Sequence, residues 1–248
     1  MKKLNVIATI KDGLAIALVN YVSLILTAVL YVLTIWIPYL NVGTTIAMAS
    51  LPAEMAKGNI VNPLFIFDGK FRKNMGEFFI LMSLMFGAIG VGYLFGVIPA
   101  LVLSVAWSFA TVLFVDKDLN ALEALRESNR LTYGNKWRIF GTEALVALAL
   151  CIVMAIIGGI FGIGDVKWLE TIGNIIILAI VICFVPTMLG IEASIYKQLT
   201  TGVFAEDATI SLPVAPAPAP AAEAPKAEEP KAEEPKPAKK AEKKEDAE

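Results

Sequence analysis

Few side chains here are of types that could do chemistry. Histidine is absent from the 248 residues, which removes the commonest general base and metal ligand together. Cys151 and Cys183 lie in separate apolar runs and are expected as buried thiols acting as small hydrophobes rather than as metal or disulfide ligands. Acids inside membrane segments are costly and often functional, and three stand at the edges of apolar runs: Glu77, Glu143 and Glu192. Each falls within about two turns of a helix end, near Lys73, Arg138 or Lys197. A structural ion-pair belt is the expected role, with Glu143 and Glu192 as candidate buried polar groups. The middle of every run lacks charge, which argues against a proton or ion relay. No Ser-His, Cys-His or zinc-ligand pattern stands up, and the glycine-rich stretches lie within apolar helices where no phosphate loop is expected. The expectation is a non-enzymatic protein with no cofactor and no metal.

The densest set of polar side chains lies in DLNALEALRESNRLTYGNKWRIFG, residues 118–141. Asp118 is read as a helix N-cap. Leu119, Leu122 and Leu125 make one side apolar, while Asn120, Glu123, Glu127 and Arg130 recur on the other. That polar side is the candidate docking face for a cytoplasmic protein partner. Glu127 and Arg130 are three apart and can pair. Gly134-Asn135 should end the helix, and Lys136, Trp137 and Arg138 then mark a membrane interface.

These residues must be positioned by membrane helices. Apolar residues make up 57% of the chain and the mean hydropathy is +0.68, above the range of soluble domains. Uncharged runs cover 13–53, 78–115, 144–164 and 171–191, that is 41, 38, 21 and 21 residues. A helix crossing ~30 Å of hydrocarbon needs roughly 20 residues, so the runs divide as two, two, one and one. The fold class expected is all-α: a polytopic integral membrane protein with six transmembrane helices, an amphipathic cytoplasmic helix and a disordered C-terminal tail.

The basic start, MKKLNVIATIKDG, precedes a run too long for a signal-peptide h-region, so the first crossing, near 14–36, is expected to be uncleaved. The second segment, 37–55, holds Pro38, Asn41, Thr44, Thr45, Pro52 and Glu54, and by hydropathy alone it suits a re-entrant or interfacial segment. Charge decides otherwise, because basic residues gather on the cytoplasmic side. With six crossings thirteen basic residues of the first 200 lie inside and only Lys167 outside. In the loop after the second crossing, Asn62-Pro63 reads as a helix start. Residues 64–67 then form an apolar turn against the membrane, and Lys70, Arg72 and Lys73 act as interface anchors within reach of anionic headgroups. Gly87, Gly90, Gly92 and Gly96 on the third crossing suit close helix packing. The third and fourth crossings divide near 96–99, the fifth runs 139–161, and the sixth runs 172–196 with Pro186 as a kink. The six-helix domain spans 1–200. The Pro/Ala/Lys/Glu-rich remainder, 201–248, with KAEEP repeated, has almost nothing to bury and should be a disordered cytoplasmic tail.

The words ALEALRESNRLTYGNKWRIFG, together with AKGNIVNPLFIFDGKFRKN after the second helix, resemble a group of bacterial six-helix membrane proteins. That group includes the membrane domain of glycerophosphodiester phosphodiesterases, and the resemblance covers roughly 14–198. It implies the membrane architecture only, since no soluble phosphodiesterase domain or His-containing catalytic motif follows. A second comparison is with permease subunits of ATP-driven importers, whose cytoplasmic loop docks on an ATPase. Glu123, Ala124 and Ile139 fit its spacing, but Asn129 stands for its glycine, and Gly141 and Thr142 for its Leu and Pro.

Charge excludes one partner class. Basic and acidic residues number fourteen each up to residue 212, which leaves no nucleic-acid patch. The expected partners are the lipid bilayer and a cytoplasmic protein. The expected function is membrane organisation or interaction in the bacterial cytoplasmic (inner) membrane, with both termini inside; the alternative is a permease-like transport subunit. A cavity lined by Asn20, Asn41, Glu143 or Glu192 would favour a ligand, and a tight interior would favour interaction.

Overall fold

The computed structural model describes residues 3–161 and 167–202; the tail expected over 201–248 lies outside them from 203 onward. Among the described residues the chain is all-α, with eight helices: α1 (Val6–Thr34), α2 (Leu40–Ala56), α3 (Met75–Leu94), α4 (Val97–Ala106), α5 (Ala110–Asp116), α6 (Ala121–Thr132), α7 (Lys136–Phe161) and α8 (Lys167–Thr201). Two 3₁₀ turns, Pro63–Phe67 and Gly69–Arg72, link α2 to α3. Asn62 caps the first turn by accepting from the Leu64 N–H, with Pro63 at its start as expected. Five helical stretches are long and apolar enough to cross a membrane: Val6–Thr34, Met75–Leu94, Val97–Asp116, Lys136–Phe161 and Thr171–Thr201.

The helices are turned for lipid. On α1, Leu14, Leu18, Val22, Leu26 and Val29 point outward, whereas Thr9, Asn20, Thr27 and Thr34 are buried. Such an arrangement suits hydrocarbon outside, where apolar side chains need no cover and polar ones must find partners within. Along α7, Leu148, Ile152, Ile156 and Ile160 likewise face out. Cys151 and Cys183 share this outer surface, which corrects their expected burial inside the protein. The runs holding them are lipid-facing, and the protein core lies elsewhere.

The tightest helix contact is antiparallel, between α1 and α8. Gly13 and Gly190 face each other there: a Cβ at Gly13 would lie 2.6 Å from the Ile191 Cα, and one at Gly190 would lie 2.6 Å from the Ala17 Cβ. Their absence lets the backbones touch, and packing of this kind drives association in lipid. Thr9 with Gln198 at one end, and the Tyr21 hydroxyl donating to the Cys183 carbonyl further along, fix the register. The glycines expected to pack this way on α3 do so only in part. A Cβ added at Gly92 would lie 3.1 Å from the Ala100 Cα of α4, but Gly87 and Gly90 have no atom within 4 Å of an added Cβ. Both stand at exposed positions of α3, which turns into α4 at Gly96, where φ is 123°.

The second segment forms α2, 17 residues long and enclosed by protein, with Thr44, Ile46, Ala47, Ser50, Leu51 and Ala53 among its buried side chains. At 1.5 Å per residue it reaches roughly 25 Å, short of a crossing on length alone. It starts beside the end of α1, where Thr34 donates to Thr44 at 3.2 Å and Tyr31 bonds Thr45 at 3.2 Å. The loop beyond it folds back into the body. The Val61 N–H donates to Asn20 Oδ1 at 2.9 Å and its carbonyl accepts from Ser23, both near the middle of α1. Of the turn expected to lie on the membrane surface, Leu64 is exposed but Ile66 is buried, with Val61 and Phe71 nearby in the sequence also buried.

One helix break has no sequence signal. The stretch assigned to the fourth crossing splits at 107–109 into α4 and α5. The carbonyl of Ala106 at the break accepts from Ser128 at 2.9 Å and Thr132 at 3.4 Å, both on α6. A helix end stripped of its own partners needs such donors when buried.

Candidate functional site

The polar side chains gather where α1 begins, α2 and α5 end, α6 lies and α8 ends. Helix α6 starts at an N-cap supplied by Asn120, not Asp118. Asn120 Oδ1 accepts from the Glu123 N–H at 2.9 Å and Glu123 reaches back to the Asn120 N–H at 3.4 Å, a reciprocal capping box. Asp118 instead takes a left-handed φ of 50° and accepts from the Asn74 side chain at 2.9 Å. Glu77 accepts from the Ala121 N–H at 3.4 Å. The start of α6 is therefore tied to the start of α3.

The buried face of α6 is Ala121, Ala124, Leu125, Ser128 and Thr132, the spacing of one helical stripe. Leu122, expected on the apolar side, lies on the exposed side, one residue off that stripe and so about 100° around the helix. Ser128 and Thr132 hold the inner face because the Ala106 carbonyl needs donors there.

On the outer side, Glu127 is clamped. Arg130 donates from Nε at 2.7 Å and Nη2 at 2.8 Å, and Lys117 approaches at 3.0 Å. The Arg130 hydrogen bonds first, and those of Lys117 next, pull the Glu127 carboxyl down to about 2. Arg126, Arg130, Lys117 and Glu123 rim a shallow depression of about 330 Å³ with Leu119 and Glu127. Of the expected docking face, Asn120 and Glu123 thus serve the cap, and Glu127 and Arg130 form the clamp.

Behind α6 an ion-pair network joins the helices. Lys57, at the end of α2, approaches Asp116 at 2.5 Å and Glu54 at 3.3 Å. The hydrogen bond to Asp116 is the main reason the Lys57 ammonium titrates above its ordinary range. Asp116 also accepts from the Tyr196 hydroxyl at 2.6 Å. Asp12 accepts from Ser194 at 2.7 Å, with Lys197 at 3.8 Å. Leu4 donates to Asn135 Oδ1 at 3.0 Å, and its carbonyl accepts from Arg138. The belt expected from Glu77, Glu143 and Glu192 is built instead from Asp12, Glu54, Asp116 and Glu127. Glu143 and Glu192 make no ion pair or hydrogen bond among the described residues, because Arg138 is taken by Leu4 and Lys197 by Asp12.

A second cavity, also about 330 Å³, opens between α2, the 3₁₀ turns and the end of α5. Buried Ile46, Ser50, Ala53 and Phe114 form its inner wall; Glu54, Lys57 and Asp116 stand along one side; exposed Lys70 and Lys73 stand at the rim. The expected basic cluster is divided here. Arg72 turns inward, Nη1 donating to the Phe67 carbonyl at 3.4 Å and its stem against Gly43. Lys70 Nζ sits 4.5 Å from the Phe65 ring centre and 4.9 Å from that of Phe71. The second anchor group also splits. Lys136 donates to Asn129 at 2.7 Å, and Trp137 stays exposed with its ring edge-on to Phe140.

Two of the residues considered for a ligand cavity, Asn20 and Asn41, take other roles. Asn20 is spent on Val61 and on the Ile16 carbonyl, and Asn41 donates to the Ile35 carbonyl at 3.2 Å. The sequence signal for the actual cavity was the basic cluster 70–73 opposite Glu54 and Lys57. What hid it was the loop's return along α2, a tertiary event without local pattern. No protein family, curated protein or solved structure matches the chain.

Proposed function

We propose that the chain is a non-enzymatic membrane-organising or interaction protein of the bacterial cytoplasmic (inner) membrane, with both termini and α6 on the cytoplasmic side. The observation that carries this reading is the anchoring of α6. Its start is tied to α3, its inner face donates to the broken end of α4, and its outer carboxylate is clamped. A helix held this way presents Arg126 and Arg130 in fixed positions, and preorganised groups lose little on binding. With Lys117 they give the depression a basic bias, so the partner surface is acidic.

The topology has its own support. Thr9 meets Gln198, and Lys57 meets Asp116, which meets Tyr196. The beginning of α1 and the ends of α2, α5 and α8 thus share one end of the bundle. An odd number of crossings cannot return the chain to its starting side, so α2 counts as the sixth, its short length compensated by protein around it.

Purification of the full chain in mild detergent, alongside an Arg126→Glu/Arg130→Glu variant, tests the docking reading. A stoichiometric soluble protein retained by the wild type and lost from the variant is the expected result. Retention of an ATPase would replace this reading with the transport one, and equal retention by both proteins would remove the docking face.

A further inference from the structure

The cavity under the 3₁₀ turns has an uneven balance of satisfied charge. Each carboxylate on its wall already has a donor: Glu54 has Lys57 and Asn59, Asp116 has Lys57 and Tyr196, and Asp118 has Asn74. The rim cations are less engaged. Lys73 has no ion-pair partner among the described residues, and Lys70 meets only Asp68, at 3.6 Å, across solvent-exposed side chains. The two rings beneath Lys70 hold its ammonium over the rim by cation–π attraction without using its three N–H donors. Inside the rim the wall is mixed: Phe65, Phe71, Phe114 and Ile46 form an aromatic and apolar part, beside Ser50 and the already partnered carboxylates.

We infer that this cavity binds the headgroup of an anionic phospholipid, its phosphate at Lys70 and Lys73 and the start of an acyl chain against the aromatic wall. The cationic rim favours an anion. Two flexible point charges without an arginine fork, since Arg72 is turned away, suit a tetrahedral phosphate diester better than a planar carboxylate. The phosphate could arrive free or on a lipid; the aromatic part of the wall, in a chain with five stretches long and apolar enough to cross a membrane, favours the lipid. This inference does not depend on the docking face of α6.

The test uses the full chain in a neutral maltoside detergent, with thermal unfolding followed during titration. The probes are dihexanoyl phosphatidylglycerol below its micelle concentration, dihexanoyl phosphatidylcholine and glycerol 3-phosphate. Saturable stabilisation by the phosphatidylglycerol is expected, with much less from the other two. Lys70→Gln/Lys73→Gln should weaken it by roughly thirtyfold, given the usual contribution of two surface basic charges. Lys70→Arg/Lys73→Arg should retain it, as should Lys136→Gln, which removes an interface cation outside the cavity. Both rim side chains are exposed, so the melting temperature without lipid should fall only by the small share that the Lys70 cation–π contacts supply. Unchanged binding in the double Gln variant, an equal loss in Lys136→Gln, or equal stabilisation by glycerol 3-phosphate would each overturn the assignment.

Discussion

Glu127 takes hydrogen bonds from a neighbour on its own helix and from Lys117, ten residues earlier, across the α5–α6 link. Its carboxyl is held at about 2, below the ordinary 4.5. A depressed carboxyl contributes stability that is complete above the unfolded value and disappears as pH falls through the folded one. The contribution should therefore decline from about pH 4.5 towards pH 2. For a partly exposed clamp it amounts to about 1 kcal/mol. Glu127→Gln should lower the melting temperature at pH 7 and flatten its fall between those pH values, measured in mild detergent. An unchanged acid slope would show that the clamp adds nothing. Half of this clamp was legible: the three-residue spacing gives the Arg130 pair, but Lys117 joins only through the turn at Asp118, whose positive φ no local pattern marks. The Asn120-x-x-Glu123 spacing carried the true cap, and Asp118 two residues earlier diverted the assignment.

At the scale of elements, long apolar runs made the helices legible, because hydrocarbon thickness sets their length. Their packing was legible only where a partner lies close in sequence, as for Gly92 and Ala100 on either side of the Gly96 turn. Gly13 and Gly190 are 177 positions apart, and each looks like any other glycine in an apolar run. Their contact nonetheless sets the α1–α8 distance. Gly190→Leu would drive a side chain into Ala17 and the Gly13 carbonyl, and overpacking of this kind costs about 1–3 kcal/mol or more. Gly87→Leu, where an added Cβ meets nothing, should stay within about 0.5 kcal/mol of the wild type. Thermal unfolding of both variants in the same detergent checks the contrast. Equal losses would mean that the α1–α8 approach is not special. The α4–α5 break belongs to the same class of hidden features. Ser128 and Thr132 look like ordinary small polar residues of a surface helix, and their inward role follows from a carbonyl 22 and 26 residues away.

For the whole molecule, the deciding element is α2. Its composition suits a re-entrant segment, while the charge distribution argues for a crossing. The geometry carries both signals: 17 residues too few for lipid contact, yet running from the end of α1 to the ion-pair network that also receives Asp116 and Tyr196. A segment enclosed by protein need not match the hydrocarbon thickness or be uniformly apolar, because neighbouring helices satisfy its polar groups. That removes the conflict between hydropathy and charge. It also yields a topological prediction. Cys151 and Cys183 stand on the outer apolar surface and can be replaced by Ala with little effect on packing. In that background, Tyr39→Cys before α2 and Asn59→Cys after it, both at exposed positions, can be probed with a membrane-impermeant maleimide on spheroplasts. Tyr39→Cys should label on intact spheroplasts, and Asn59→Cys only after permeabilisation. A reporter fused after Leu199 should read as cytoplasmic. Labelling of both cysteines from the same side would mean that α2 does not cross, and five crossings would then place the end of α8 opposite the start of α1. The Thr9–Gln198 and Asp12–Ser194 contacts could not form across a bilayer, so that result would break the helix packing as well as the crossing count.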